Sequence, residues 1–384
     1  MTIKYGSPGM HFPPAEMVGQ GAQFYEASGY DFVTWCDQLS LTIPRSIWTP
    51  DLVPAAEVWD IDEYMDPWPM MTAAAIATTN IEIGHVATDT LRRLPANLAQ
   101  LICTLSQFSQ GRFWVTLGAG EVKQFKPYGI PREKPFGHLE EAIKIIRLLC
   151  ETKEPVSYEG PIWTLDNAIM RLEPYEGQTP PLLVAGGPGR ALDIAARLGD
   201  GWTVYLPACG DADWYGEQVT KIKAQAEQEG RDPEALKFVG VFMAIIEANE
   251  SRLDELTHNA ALRWDAAACI PGGETWDRWG FTNPLGDFSY ARDLVPMDWS
   301  REDALKIVEQ VPPEAVRKSK ICGSPESVAA QIQPYVDGGC NYVFLADYTG
   351  VVTSGDWGDS MDAPSSVAAT FNESRRLNNI PVPA

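Results

Sequence analysis

Basic residues are scarce in this sequence. Thirty Lys and Arg stand against 52 Asp and Glu, for a formal net charge of −22. That leaves no basic footprint to offset a phosphate backbone, which excludes a nucleic-acid partner. An anionic small ligand would need a local set of cations and backbone N–H groups. Paired cysteines are also lacking. The seven, Cys36, Cys103, Cys150, Cys209, Cys269, Cys322 and Cys340, are scattered, odd in number and never spaced as CxxC. The pattern predicts no metal site and suits buried thiols in a reducing compartment. No apolar run is long enough to span a bilayer, so no membrane insertion is expected. The opening residues MTIKYGSPGMHF lack the apolar core of a signal peptide, and the expectation is a cytoplasmic protein.

What is present is an ordinary globular composition, 45% hydrophobic and 21% charged over 384 residues. That length allows one large α/β barrel or two smaller domains. The focal stretch is RFWVTLGAGEVKQFKPYG, residues 112–129. It reads as a buried strand over 112–117 that runs into a turn, Gly118-Ala119-Gly120, followed by Glu121. Glycine lets a ligand approach the backbone there. The third glycine of a dinucleotide fingerprint is missing, so this is not a Rossmann site. A tight turn with no ligand is the plain alternative.

A second glycine-rich strand end, PLLVAGGPGR over 181–190, leads directly into a helix over 191–198. It joins a glycine turn to the free N–H groups and positive dipole end of a helix, which suits an anion. Arg190 in the first turn opposes the dipole, and a bound anion would account for it. A simple βα turn is the alternative here.

Strand patterns recur at 2–7, 31–36, 81–87, 112–117, the 181–190 strand end, 201–206, 238–246 and 342–346, with helical patterns between them. Eight such units imply a parallel (β/α)8 TIM barrel, with its site at the C-terminal strand ends. Asp37-Gln38, Thr88-Asp89, the turn from Gly118 to Glu121, and Ala185 to Gly187 all fall at such ends. The whole chain, 1–384, reads as one domain. Residues of about 265–320, with the Gly/Trp/Pro-rich stretch 271–287, read as an insertion over the site, and 349–384 as a polar tail, a partner arm or loosely ordered. The Pro- and Trp-rich loop 39–66 is long enough to be functional. Trp48, Trp59 and Trp68 either wall an apolar pocket or pack that loop down.

The same residues carry a resemblance. Asp37 at a strand end, LGAGE over 117–121, AGGPGR over 185–190, GDGW over 199–202 and GSPESVAAQIQPYVDGGCNYVFL over 323–345 are similar to the luciferase-like superfamily of flavin and deazaflavin enzymes. Within it, TIPRS over 42–46, PWPM over 67–70, VATDTLRRLPA over 86–96, Asn167-Ala168 and NPLGDFS over 283–289 resemble the phthiodiolone ketoreductase group.

The resemblance implies an F420-dependent oxidoreductase that moves a hydride between deazaflavin C5 and a carbonyl, alcohol or activated double bond of an apolar small molecule. FMN is the alternative cofactor, in a luciferase-like monooxygenase. A non-catalytic deazaflavin-binding barrel is a third reading. The resemblance also implies a homodimer. It places Asp37, Val86, Ala87, Thr88, Gly118, Gly120 and Gln124 around the deazaflavin ring, with a cis peptide between Val86 and Ala87. It places Ala185, Gly186, Gly187 and Arg190 at the phosphate. Lys123, Lys126, Arg132, Lys134 and Arg190 are candidates to hold a polyglutamyl tail.

The implied catalytic set is Glu121, Asp37 and Gln38. Where the family has Asp-His this chain has Asp37-Gln38, and Gln cannot shuttle a proton. Glu121 is therefore the first acid/base candidate. Its alternative role is as a cap on the next helix. His11 is a further proton-donor candidate, whereas His85 reads as packed.

Overall fold

The computed structural model describes residues 2–270, 273–353 and 363–383. Eleven strands appear among them in chain order. They are β1 (Lys4–Pro8), β2 (Phe32–Trp35), β3 (Glu82–Asp89), β4 (Phe113–Gly118), β5 (Val156–Glu159), β6 (Thr164–Ala168), β7 (Leu182–Ala185), β8 (Gly201–Leu206), β9 (Lys237–Ile246), β10 (Ile321–Gly323) and β11 (Tyr342–Asp347). Eight of these, β1, β2, β3, β4, β7, β8, β9 and β11, pair in parallel. The sheet closes where β8 meets β9, from Gly201↔Lys237 to Leu206↔Phe242. The expected (β/α)8 barrel is therefore the fold. The short β10 adds to the C-terminal half of β9, and β5 and β6 form a separate hairpin.

Among the described residues fifteen α-helices accompany the strands. Those that frame the site are α2 (Pro67–Ala77), α3 (Pro95–Ser109), α4 (Pro135–Glu151), α5 (Arg190–Leu198), α6 (Ala212–Gln228), α8 (Ala260–Cys269), α10 (Tyr290–Asp293), α13 (Pro325–Asp337) and α15 (Ala363–Leu377). Local chemistry sets several starts. Asp66 caps α2 by accepting from Trp68 N–H, and Pro67 holds its first position. Ser324 caps α13 in the same way, with Pro325 next.

Alternation along the strands decides what fills the barrel. Phe32, Trp114, Leu183, Val239, Tyr342 and Phe344 meet inside it. Below them Lys4, Lys237 and the Tyr342 hydroxyl gather on the Glu82 carboxylate. Trp114 needs the space that Gly84 leaves, because a Cβ there would lie 2.4 Å from its ring. Gly84→Ala is therefore expected to cost about 2 kcal/mol by overpacking. It should be read as a lower urea midpoint with an unchanged m-value.

Two long segments roof the mouth of the barrel. Ile43, Ile47, Trp48, Val53 and Ile61 of the 39–66 loop pack on Ala261, Trp264, Leu294, Ala304 and Val308 of the stretch between β9 and β10. Trp48 and Trp59 meet edge to face at 4.7 Å, and Trp264 donates to Thr42 O. These rings pack the loop down onto the insertion. Trp68 lies elsewhere, in α2 against Phe113 and His85. Pro271 and Gly272 of the insertion lie outside the described residues. So do 354–362 and 384 of the stretch read as a tail. The remainder of that stretch holds α15, which buries Val367 and Phe371 against Tyr5 and Tyr30. Arg375 ties α15 to Gly29 O and Asp31.

Candidate active site

The C-terminal ends of the strands bring two polar networks to one side of the mouth. The first centres on Asp37, just past β2. Its carboxylate accepts from Thr88 Oγ1 at 2.7 Å and Arg93 Nε at 2.6 Å, and Arg92 stands 3.1 Å away. Burial alone would raise this carboxyl. The Arg93 hydrogen bond and the Arg92 charge outweigh it and hold the pKa down to about 2. Asp37 is thus a fixed anion at neutral pH. The peptide between Val86 and Ala87 is cis, and the β3–β4 register shifts there, between His85 and Thr88.

The second network centres on Lys123, which is fully buried. Its Nζ lies 2.8 Å from Glu121 Oε2, donates to Ser40 O at 2.8 Å and bonds Gln38 Oε1. Gln124 takes Leu39 N–H on its Oε1 and gives its amide to Gln38 and Ser40 O. This corrects the reading of Lys123 as a rim cation for an anionic tail: three oxygens already occupy it. Glu121 makes no cap to the 3-10 turn that follows it. Of the other tail candidates, Lys126 pairs with Asp298 and Arg132 donates to Gly120 O.

The phosphate candidate is a bend at the end of β7. Gly186 has φ of +147°, and a Cβ there would lie 2.5 Å from Ala191 Cβ. Trp202 Nε1 fixes Gly186 O at 2.7 Å. Gly189, with φ of +96° and open space above it, precedes α5. No side chain caps α5, which leaves its first N–H groups for a ligand. Arg190 is exposed, with its guanidinium 5.7 Å from the Phe136 ring. Gly118 and Ala185 lie side by side at the strand ends. Gly120 has φ of +74°, and Phe125 packs where a side chain would stand.

Neither histidine candidate faces the mouth as an acid. Burial lowers His11 to about 4, and its Nε2 accepts Cys36 N–H at 3.0 Å. Burial likewise lowers His85 to about 4, and its ring packs on Trp68, away from the barrel interior.

Sequence reasoning missed the facing wall. There Tyr205, Tyr290 and Tyr348 stand half-buried with Cys209 and Cys269. Behind them Lys320 and Asp265 form an ion pair. The two are 55 positions apart, and no local motif announces them. Among the described residues no group of three or more His, Cys, Asp and Glu could hold a metal ion, and no helix is long and apolar enough to cross a membrane.

The family model for luciferase-like monooxygenases matches residues 5–342. A phthiodiolone/phenolphthiodiolone dimycocerosates ketoreductase of Mycobacterium bovis is 31% identical over 314 residues, 80% of this chain and 81% of that one. Among solved structures, an F420-dependent secondary alcohol dehydrogenase bound to an F420-acetone adduct superposes with a TM-score of 0.68. It is 20% identical and covers 92% of this chain and 99% of its own. A type II Baeyer-Villiger monooxygenase of Pseudomonas putida in complex with FMN superposes at 0.65, with 17% identity and full coverage of both chains. The match in sequence across most of the barrel and the shared architecture lead to one conclusion: this chain belongs to the luciferase-like monooxygenase family.

Proposed function

We propose that this chain is an F420-dependent oxidoreductase, cytoplasmic and homodimeric, acting on a carbonyl, alcohol or activated double bond of an apolar small molecule. The similarity to a ketoreductase across four-fifths of both chains carries this reading. Deazaflavin, when bound, supplies or accepts the hydride at C5. The uncapped start of α5 and the bend from Ala185 to Gly187 fit a phosphate, since both offer backbone N–H groups and no side chain in the way. Val86, Ala87 and Gly118 form the floor for the ring. Arg132, Lys134 and Arg190 would be the cations for an anionic tail. Asp37 orients Thr88 and the two arginines rather than moving a proton, because its carboxyl stays ionised throughout the neutral range. The apolar roof and the ring-lined wall suit a substrate with few charges.

A second reading, an FMN-dependent monooxygenase, is favoured by the FMN-bound relative of the same fold. Titrating the apo-protein with F420 and with FMN, by fluorescence quenching, separates the two. Micromolar F420 binding with weak FMN binding supports the first reading; tight FMN binding with none for F420 replaces it. Gly186→Ala drives a methyl into Ala191 and is expected to weaken cofactor binding about tenfold, some 1.4 kcal/mol. The same titration measures it, with circular dichroism confirming the fold.

A further inference from the structure

Tyr205 projects from β8 into the barrel, in register with Val241 of β9, and packs against the interior cluster that includes Phe344. Its strand neighbours Trp202 and Val204 turn outward, and Trp202 stacks on Tyr215 of α6. The phenol is half-buried and stands at the mouth. Lys320, the residue before β10, reaches it from behind: Nζ donates to the Tyr205 oxygen at 3.3 Å. The same Nζ is bonded to Asp265 of α8 and lies over the Tyr348 ring at 5.4 Å. Lys320 and Asp265 are both almost wholly out of solvent, 0% and 4% exposed. A buried ion pair is costly to assemble, so its third contact is informative. The Tyr205 oxygen accepts from the ammonium, and among the described residues no protein acceptor takes the phenol's own proton.

We propose that Tyr205 is the catalytic residue that exchanges a proton with the substrate oxygen, and that Lys320 and Asp265 are its positioning pair. The proposal rests on the oxidoreductase reading above. It also answers what replaces the family histidine, whose place Gln38 takes while bound to Lys123 and Gln124. In the reducing direction a bound reduced deazaflavin would supply the hydride to the carbonyl carbon. The C=O π pair moves onto oxygen, and Tyr205 gives that oxygen its proton. The phenolate left behind is stabilised by the Lys320 ammonium and regains a proton from water at the mouth. The proton that the cofactor sheds on oxidation balances that gain. The alcohol oxidation runs the same steps in reverse.

The groups that face Tyr205 are Asp265 and Cys269 on α8, Cys209 just past β8, Tyr290 on α10, Tyr348 past β11, and Lys320. Burial, then the Asp265 charge, hold the phenol well above the usual range, so it carries its proton throughout neutral pH. Burial works against the Lys320 ammonium, but Asp265 outweighs it and Lys320 stays charged.

The test uses the F420-loaded protein with cyclohexanone as the ketone. Tyr205→Phe keeps the ring and removes only the hydroxyl. It should lower kcat about 100-fold with F420 affinity unchanged. The wild-type rate should stay flat from about pH 6 to 9, whereas a donor that ionised in that range would lose tenfold per pH unit once ionised. A third readout needs no turnover. With oxidised F420 bound, the infrared C=O stretch of bound cyclohexanone should move to lower frequency in the wild type and return in both Tyr205→Phe and Lys320→Met. A purely structural ion pair would leave that frequency alone. Wild-type kcat in Tyr205→Phe, or an unshifted carbonyl band, overturns the proposal and leaves the F420 reading standing. Failure to bind F420 at all removes both.

Discussion

Asp37→Asn is expected to destabilise the protein by about 3 kcal/mol, the low end of the cost of breaking a buried ion pair. The wild-type carboxylate serves three donors at once, Thr88 and two guanidiniums. An amide keeps one acceptor and turns its NH2 toward positive charge. The cost stays at the low end because Arg92 retains Asp89 and Arg93 retains Asp66. Urea unfolding at neutral pH measures it. The pH dependence supplies an independent check. A carboxyl held near 2 in the folded state, against an ordinary 3.8, stabilises the native protein at every pH above the higher value. The difference corresponds to about 2 kcal/mol, lost as pH falls from about 5 toward 2. The variant should lack that part of the acid-side slope. An Asp37→Asn protein with wild-type stability and an unchanged acid limb would show that the two arginines need no anion there.

The barrel was legible because most of its strands are short runs rich in β-branched, aromatic or aliphatic residues, and most are closed by Gly, Asp or Pro. The 201–206 strand was read with the bounds that the structure gives. Helix α15 was not legible as a barrel helix. Its buried side chains are Ser366, Val367, Thr370, Phe371, Ser374 and Arg375, and four of these six are polar, so the stripe carries no apolar signal. The glycine-rich strand end pointed to the bend at Gly186, whereas the cis peptide after Val86 came from the family resemblance and not from the residues themselves. Neither gave the side-chain networks. Those are long-range: Gln38 meets Lys123 and Gln124 across 85 and 86 positions, and Tyr205 meets Lys320 across 115. Periodicity describes neighbours along the chain and is silent about such meetings. A lysine is ordinarily solvated, and that expectation misplaced Lys123 on the rim.

Lys123→Met is the sharper test of that misplacement, with an expected loss of about 3 kcal/mol. Methionine refills most of the buried stem, so a cavity contributes little. What is lost is the charge that Glu121, Gln38 and Ser40 share. Gln124 still donates to Gln38 and Ser40, which limits the cost from the neutral acceptors. Glu121 is a quarter exposed, and water recovers part of its solvation. A double-mutant cycle with Glu121→Gln apportions the effect. If the ion pair is real, Glu121→Gln should be less costly, by about 1 kcal/mol, in the Lys123→Met background than in the wild type. Strict additivity would mean that Lys123 acts only on the two neutral oxygens. Had Lys123 been a rim cation, removing it would weaken binding of an anionic cofactor tail and leave the urea midpoint unchanged. Because it instead joins the end of β4 to the start of the roofing loop, the midpoint should fall, and cleavage of that loop by a protease should quicken with it.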